Sequence, residues 1–324
     1  MHMMEFLHTY YGIKGEKGHK IRNIPSYVAN NNHYLILPIK RSEEFNVEQA
    51  VLSYYLKEHN QAHIGYPLQN IDEQFITIID GQRYIVLQVD ELNEQLRESE
   101  GLTLAAFHKQ HQAYPYEPHS ISSYGSWKQL WIDKLTVYEQ NLQASLSENR
   151  TYFERTWLDV FPYVIGMTEN AIQYIGNAEA DYAFDESDQP TITFERYSSQ
   201  LIEDCFFHYE LHFDHPMRDV AEKIRSYLLE KDIHYDEIHS FLEAYNHIQK
   251  MSPFSWKLLY ARLLYPAHFF DRMDMHRMKD ESWIKKDMIN LCAAQEKYEK
   301  RLNVLFKQVE QNNQKVQIPM IQWL

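Results

Sequence analysis

The densest grouping of side chains able to do chemistry runs from His212 to Arg225, HFDHPMRDVAEKIR, where two histidines and two aspartates lead into an amphipathic stretch. Imidazoles and carboxylates this close could hold a metal ion, serve phosphoryl transfer, or form a polar turn. A zinc site needs ligands that converge on one point. His208 and His212, if both lie on one strand, share a face only at about 13 Å, so the histidines, His215 included, read as incidental. In RMDMHRMKD, Asp274 and His276 are two apart on a helical pattern and face different ways. Gly12, Gly15 and Gly18 make G-x-x-G-x-x-G, which fits either a phosphate-cradling loop or a flexible charged turn in KGEKGHK. No G-x-S-x-G elbow occurs, which argues against a serine hydrolase. Cys205 stands beside Phe206 and Phe207, the setting of a buried, inert thiol.

The elements that must position these residues fall into two zones. Up to about residue 91 the chain alternates short apolar runs with turn residues. Asn30-Asn31-Asn32 separates the runs Ser26–Ala29 and His33–Lys40, and Asp80-Gly81 separates FITIID from RYIVLQVDEL, both strong turn signals. Between them Ser42 is a helix N-cap with acids following, and Val47, Val51, Leu52, Tyr55 and Leu56 recur at helical spacing. Beyond residue 91 helical patterns dominate. Trp127, Trp131, Leu135 and Tyr138 share one stripe, Pro162 should kink or end a helix, and further helices are expected over 216–231, 235–250, 254–278 and 283–312. DYAFDESDQP reads as an acidic loop, TITFERY and CFFHYELHF as two strands, and KVQIPMIQWL as a strand-like tail.

With 324 residues, 44% of them hydrophobic, the chain can build real cores and exceeds most single-core domains. The formal charge of −14, without a basic cluster, argues against nucleic-acid binding. No run approaches the ~18 apolar residues of a membrane span, and the N-terminus does not read as a signal peptide. Cys205 and Cys292 suggest no disulfide framework, so synthesis in a cytoplasm is expected. A small β-rich lobe over 1–91, a hinge near Glu91 and a helical lobe over 92–324 is the layout of a two-lobed, α+β, protein-kinase-like fold.

Several strings resemble the aminoglycoside and choline phosphotransferase-like kinases, and within them the endospore coat-associated branch of the YutH/CotS type. HTYYGI (His8–Ile13) resembles the helix leading into that branch's first strand, and GSWKQLWIDKL (Gly125–Leu135) its Trp-rich helix. LAAFH (Leu104–His108) resembles a helix-end motif of the superfamily. LILPIK places Lys40 like the lysine that binds phosphates, with Glu48 as its helix partner and Glu58 as the less favoured one; an exposed edge lysine is the plain alternative. DHPMRDVAEKIR resembles the segment just beyond the metal-binding loop, with Asp219 anchoring the helix start.

Such a kinase needs a carboxylate base, an Asn and an Asp on magnesium, and a lysine on the phosphates of ATP. Where the family carries His-Gly-Asp, this chain has Phe194, Glu195 and Arg196, and Leu201 stands at the Asn. Arginine cannot act as a carboxylate base, and leucine cannot ligate a hard cation. The metal Asp falls on Phe207; Asp204 meets it only with a register gap. The resemblance therefore implies a catalytically inactive, kinase-derived component of the endospore coat, made in the mother cell and partnered by other coat proteins. The alternative is an active small-molecule kinase using ATP and Mg2+, with Asp204 or Asp214 replacing the missing ligands. An intermediate reading keeps nucleotide on Lys40 and Glu48 without transfer.

Overall fold

In a computed structural model of the chain, the described residues are 3–39, 41–93, 99–144, 151–181, 184–277, 279–312 and 318. They fall into two compact units, residues 1–122 with 191–214, and residues 123–190 with 215–324.

The first unit opens with α1 (Met3–Tyr11) and the strands β1 (Glu16–Ile21), β2 (Ile24–Ala29) and β3 (Asn32–Pro38). After α2 (Glu43–Glu58) come β4 (Ile64–Pro67), β5 (Thr77–Ile79) and β6 (Gln82–Val89), then α3 (Glu100–His111). The later segment adds β7 (Thr191–Phe194), β8 (Phe206–Phe207) and β9 (Leu211–Asp214). One sheet has the order β1-β2-β3-β6-β4-β8 with β5 on β6, while β7 and β9 form a separate hairpin.

Three turns explain the meander. Asn30 and Asn31 have φ of 52° and 67°, Asp80 and Gly81 49° and 76°, and Arg22 and Asn23 47° and 65°. Paired positive φ values are what a tight hairpin with right-handed strands demands. The Asn and Asp-Gly turns use residues suited to it. Arg22 is not one of them.

Period-two alternation sorts the sheet into two faces. Tyr34, Ile36, Tyr84 and Val86 face Phe6 and Leu7 of α1. On the other face Leu35, Leu37, Ile85, Leu87 and Val89 meet Ile21, Cys205 and Phe207. Of the three glycines, Gly12 lies in the irregular connection after α1 at a φ of 67°, Gly15 stands just before β1 and Gly18 within it. A Cβ at Gly15 would stand 2.9 Å from the Val28 carbonyl oxygen, and one at Gly18 2.7 Å from Ser26 Oγ, so glycine permits the close approach of β2. Ser42 does occupy the N-cap of α2, without a side-chain capping bond.

The second unit is helical: α4 (Trp127–Ala144), α5 (Tyr152–Asp181), α6 (Met217–Leu229), α7 (Tyr235–Ile248), α8 (Pro253–Leu264), α9 (Ala267–His276) and α10 (Glu281–Asn312). Trp127, Trp131, Leu135 and Tyr138 are all buried, as their spacing on α4 requires. Pro162 does not end a helix, since α5 runs through it. The single helix expected over 254–278 is two, divided at Tyr265-Pro266, where the proline removes a backbone donor. Of the strand-like tail only Ile318 is described, and it is buried.

At the heart of this unit Asp188 is fully buried. Its Oδ1 accepts from Ser252 Oγ and Ser255 Oγ, each at 2.7 Å, and from His215 Nε2 at 3.1 Å. Its Oδ2 accepts the Asp185 N–H at 3.0 Å. Because the Met217 N–H donates to His215 Nδ1 at 3.1 Å, the neutral imidazole must carry its proton on Nε2. Asp219 is also buried, in the first turn of α6, and its charge joins burial in raising the pKa of Tyr245.

Candidate functional site

The residues that the resemblance sets at catalytic positions lie in the first unit, and two of them, Glu195 and Arg196, line a cavity of about 650 Å³. The end of β3 lines it through Leu37, the residue just beyond that strand through Ile39, α2 through Asn46, and the β7–β9 connection through Glu195, Arg196, Gln200 and Glu210. Phe194 ends β7, buried against Phe107 and Phe206 at ring centroids of 5.7 and 5.4 Å. It serves as core. Glu195 is ion-paired to Arg41. Arg196 is exposed at the cavity wall, and Leu201 is buried in a short 3-10 turn.

Gln200, which carries no motif, organises this loop. Its Nε2 donates to the Arg196 carbonyl at 2.8 Å, and its Oε1 accepts the Ser198 N–H at 2.6 Å. Arg22 is the other residue that sequence reasoning missed. From the β1–β2 turn its Nε pairs with Glu203 Oε2 and its Nη1 with Glu210 Oε2, both at 2.6 Å. Its guanidinium also lies 5.2 Å from the centre of the Phe207 ring. Glu210 Oε2 further accepts the Phe207 N–H at 2.8 Å, so one carboxylate holds both the arginine and the strand beside it.

The run CFFHYELHF is not one strand. Phe206 and Phe207 pair in parallel with Ile64 and Gly65, a 3-10 turn takes His208–Glu210, and the chain then enters β9. That break removes the geometry in which His208 and His212 would share a strand face. Burial drives the His208 pKa down to about 3, aided by the Arg41 charge. Neither His208 ring nitrogen has a hydrogen-bond partner among the described residues. Burial likewise pushes the Cys205 thiol up to about 12, consistent with the inert thiol expected there.

Lys40 lies outside the described residues, so its pairing with Glu48 is not on view. The Glu48 carboxylate accepts the backbone N–H groups of His119, Ser120 and Ile121 at 3.0, 2.8 and 3.0 Å. Asp204 is exposed, while Asp214 is fully buried opposite Thr191, at the end of the β7–β9 ladder remote from Phe194. Among the described residues no three His, Cys, Asp or Glu side chains are grouped to hold a metal ion. The described helices also include none long and apolar enough to cross a membrane.

The family model described as "Spore coat putative kinase YutH" matches residues 4–305. The endospore coat-associated protein YutH of Bacillus subtilis strain 168 is 28% identical over 337 aligned residues, 96% of this chain and 97% of that protein. Among solved structures, an aminoglycoside phosphotransferase from Alicyclobacillus acidocaldarius superposes with a TM-score of 0.60 at 11% identity, covering 91% of this chain and 92% of that one. A microcompartment-associated aminopropanol kinase gives 0.56 at 8% identity, covering 92% and 95%. The fold is therefore α+β and protein-kinase-like.

Proposed function

The chain belongs to the YutH family of spore coat putative kinases, and from that premise we propose that it is a structural component of the endospore coat that performs no phosphoryl transfer. One observation carries the reading. The sheet face bearing Leu35, Ile85, Leu87 and Val89 is covered by the chain's own Cys205 and Phe207, and the adjoining Glu203 and Glu210 are both ion-paired to Arg22. Kinases use a glycine-rich turn over the phosphates and acidic or amide oxygens on magnesium. Here the first hairpin turn is Arg22-Asn23, without glycine. A guanidinium supplies the positive charge beside the carboxylates that a metal would otherwise bring. Arg196 in place of the base points the same way, since its cation cannot accept a proton.

On this reading a β-rich lobe over 1–91 and a helical lobe over 92–324 are retained as a scaffold. The protein is made in the mother cell and deposited on the coat, among other coat proteins. Thermal unfolding with 1 mM ATP, with and without Mg2+, tests it. The melting temperature should stay unchanged within error. A rise of several degrees would show nucleotide binding and overturn the purely structural role. ATP turnover abolished by Asp204→Ala or Asp214→Ala would establish the active-kinase alternative instead.

A further inference from the structure

We infer that the outer face of α2, with the segment 112–118 that follows α3, is a docking surface for a cationic polypeptide carrying aromatic or aliphatic side chains. The inference holds whether or not the chain binds ATP. Val47 and Val51, 42% and 44% exposed, lie one turn apart, and Tyr55 follows at the next turn. The Tyr55 ring stacks on His59 at 3.9 Å and meets Tyr114 edge-on at 4.8 Å. Tyr114 meets Tyr116 edge-on at 5.6 Å, and Tyr116 is 64% exposed. Together these make a continuous apolar stripe on the first unit, of the kind that marks interaction sites.

The stripe is fixed before any partner arrives. Glu48 holds three consecutive backbone N–H groups just after the tyrosines, and Gln110 Nε2 donates to the His59 carbonyl at 3.0 Å. A surface already ordered loses little entropy on binding.

Charge selects the occupant. Glu43, Glu44, Glu58 and Glu117 are exposed around the stripe. The cations of α2 and its approach are engaged elsewhere, Arg41 by Glu195 and Lys57 by Asp90. One exposed lysine of α3, Lys109, stands against the four carboxylates. An anionic membrane or nucleic acid would be repelled. A second copy would set this acidic rim against itself in a two-fold pair, on a chain of net charge −14. A polypeptide with lysines or arginines flanking apolar residues satisfies both the stripe and its rim.

The test uses the full chain and a 16-residue fluorescent peptide of repeated Lys-Tyr-Lys-Leu units, followed by anisotropy at low and physiological salt. The peptide should bind, more weakly as salt rises. Val51→Ser with Tyr116→Ala, and separately Glu43→Lys with Glu44→Lys, should each weaken binding about tenfold. Glu237→Lys with Glu243→Lys on α7, an equal change in net charge elsewhere, should leave it unchanged. Hydrogen exchange of the unmutated chain should show peptide-dependent protection over 43–59 and 112–118. Equal losses from both charge-reversed variants, or protection confined to other segments, would overturn the inference. So would binding to phosphatidylserine vesicles, or self-association, that the stripe variants abolish.

Discussion

Replacing Asp188 by Asn keeps the shape of a fully enclosed polar centre in the second unit and removes its charge. Burial pushes the carboxyl upward, but the hydrogen bonds from His215, the Asp185 N–H, Ser255 and Ser252 outweigh it and hold the pKa at about 2, below an ordinary 3.8. At 1.36 kcal/mol per unit, that difference is worth about 2 kcal/mol of stability at neutral pH. The amide adds a second cost. Oδ1 receives three donors and Oδ2 one, so whichever way the amide is turned, its NH2 faces a donor in a dry site, at about 1–3 kcal/mol.

The expected loss for Asp188→Asn is therefore about 3–5 kcal/mol. For a cooperative unit of this size that is a fall of roughly 10 °C in melting temperature. Urea unfolding measured from pH 7 to pH 3 separates the two parts. The folded pKa is depressed, so the charge-linked part is complete above the unfolded pKa and is lost as pH falls through the folded value. About half of it should be gone by pH 3, narrowing the gap between the two proteins. Equal midpoints at pH 7, or a gap that does not change with pH, would refute the assignment of Asp188 as an ionised structural centre.

Two further perturbations probe the first unit. His208→Phe should stabilise the chain by about 1 kcal/mol at pH 7, by replacing a ring whose buried nitrogens find no partner with an apolar one. The unfolded histidine takes up a proton near pH 6.5 while the folded one resists until about 3. Wild-type stability should thus fall as pH drops below 6.5, and the variant should lack that part of the slope in urea midpoints. Gly18→Ala places a Cβ 2.7 Å from Ser26 Oγ and 2.8 Å from Val28 Cγ2. It should cost about 1–3 kcal/mol, read as a lower unfolding midpoint, whereas a glycine in a flexible turn would tolerate alanine freely.

Much of this fold was legible because its signals are local. Asn-Asn and Asp-Gly turns fix hairpins through φ alone, and the Trp127–Tyr138 stripe needs only helical spacing to declare its buried face. The family strings added the order of elements. What sequence could not supply were the partners of charged side chains far apart along the chain. Arg22 sits in a stretch that reads as strand punctuation, and nothing near it signals Glu203 or Glu210, over 180 residues away. Asp188 lies in an acidic loop without periodicity, and its donors come from three separate segments. The same limit explains CFFHYELHF. Its composition favours a strand throughout, yet Glu210 accepts the Phe207 N–H and closes a 3-10 turn. Phe194, Glu195 and Arg196 could be read as departures at the positions the resemblance marks. That Arg22 from the first hairpin pairs with both Glu203 and Glu210 could be seen only once the chain was folded, because a half-buried carboxylate is stabilised by whatever cation the fold brings within reach, however distant in sequence.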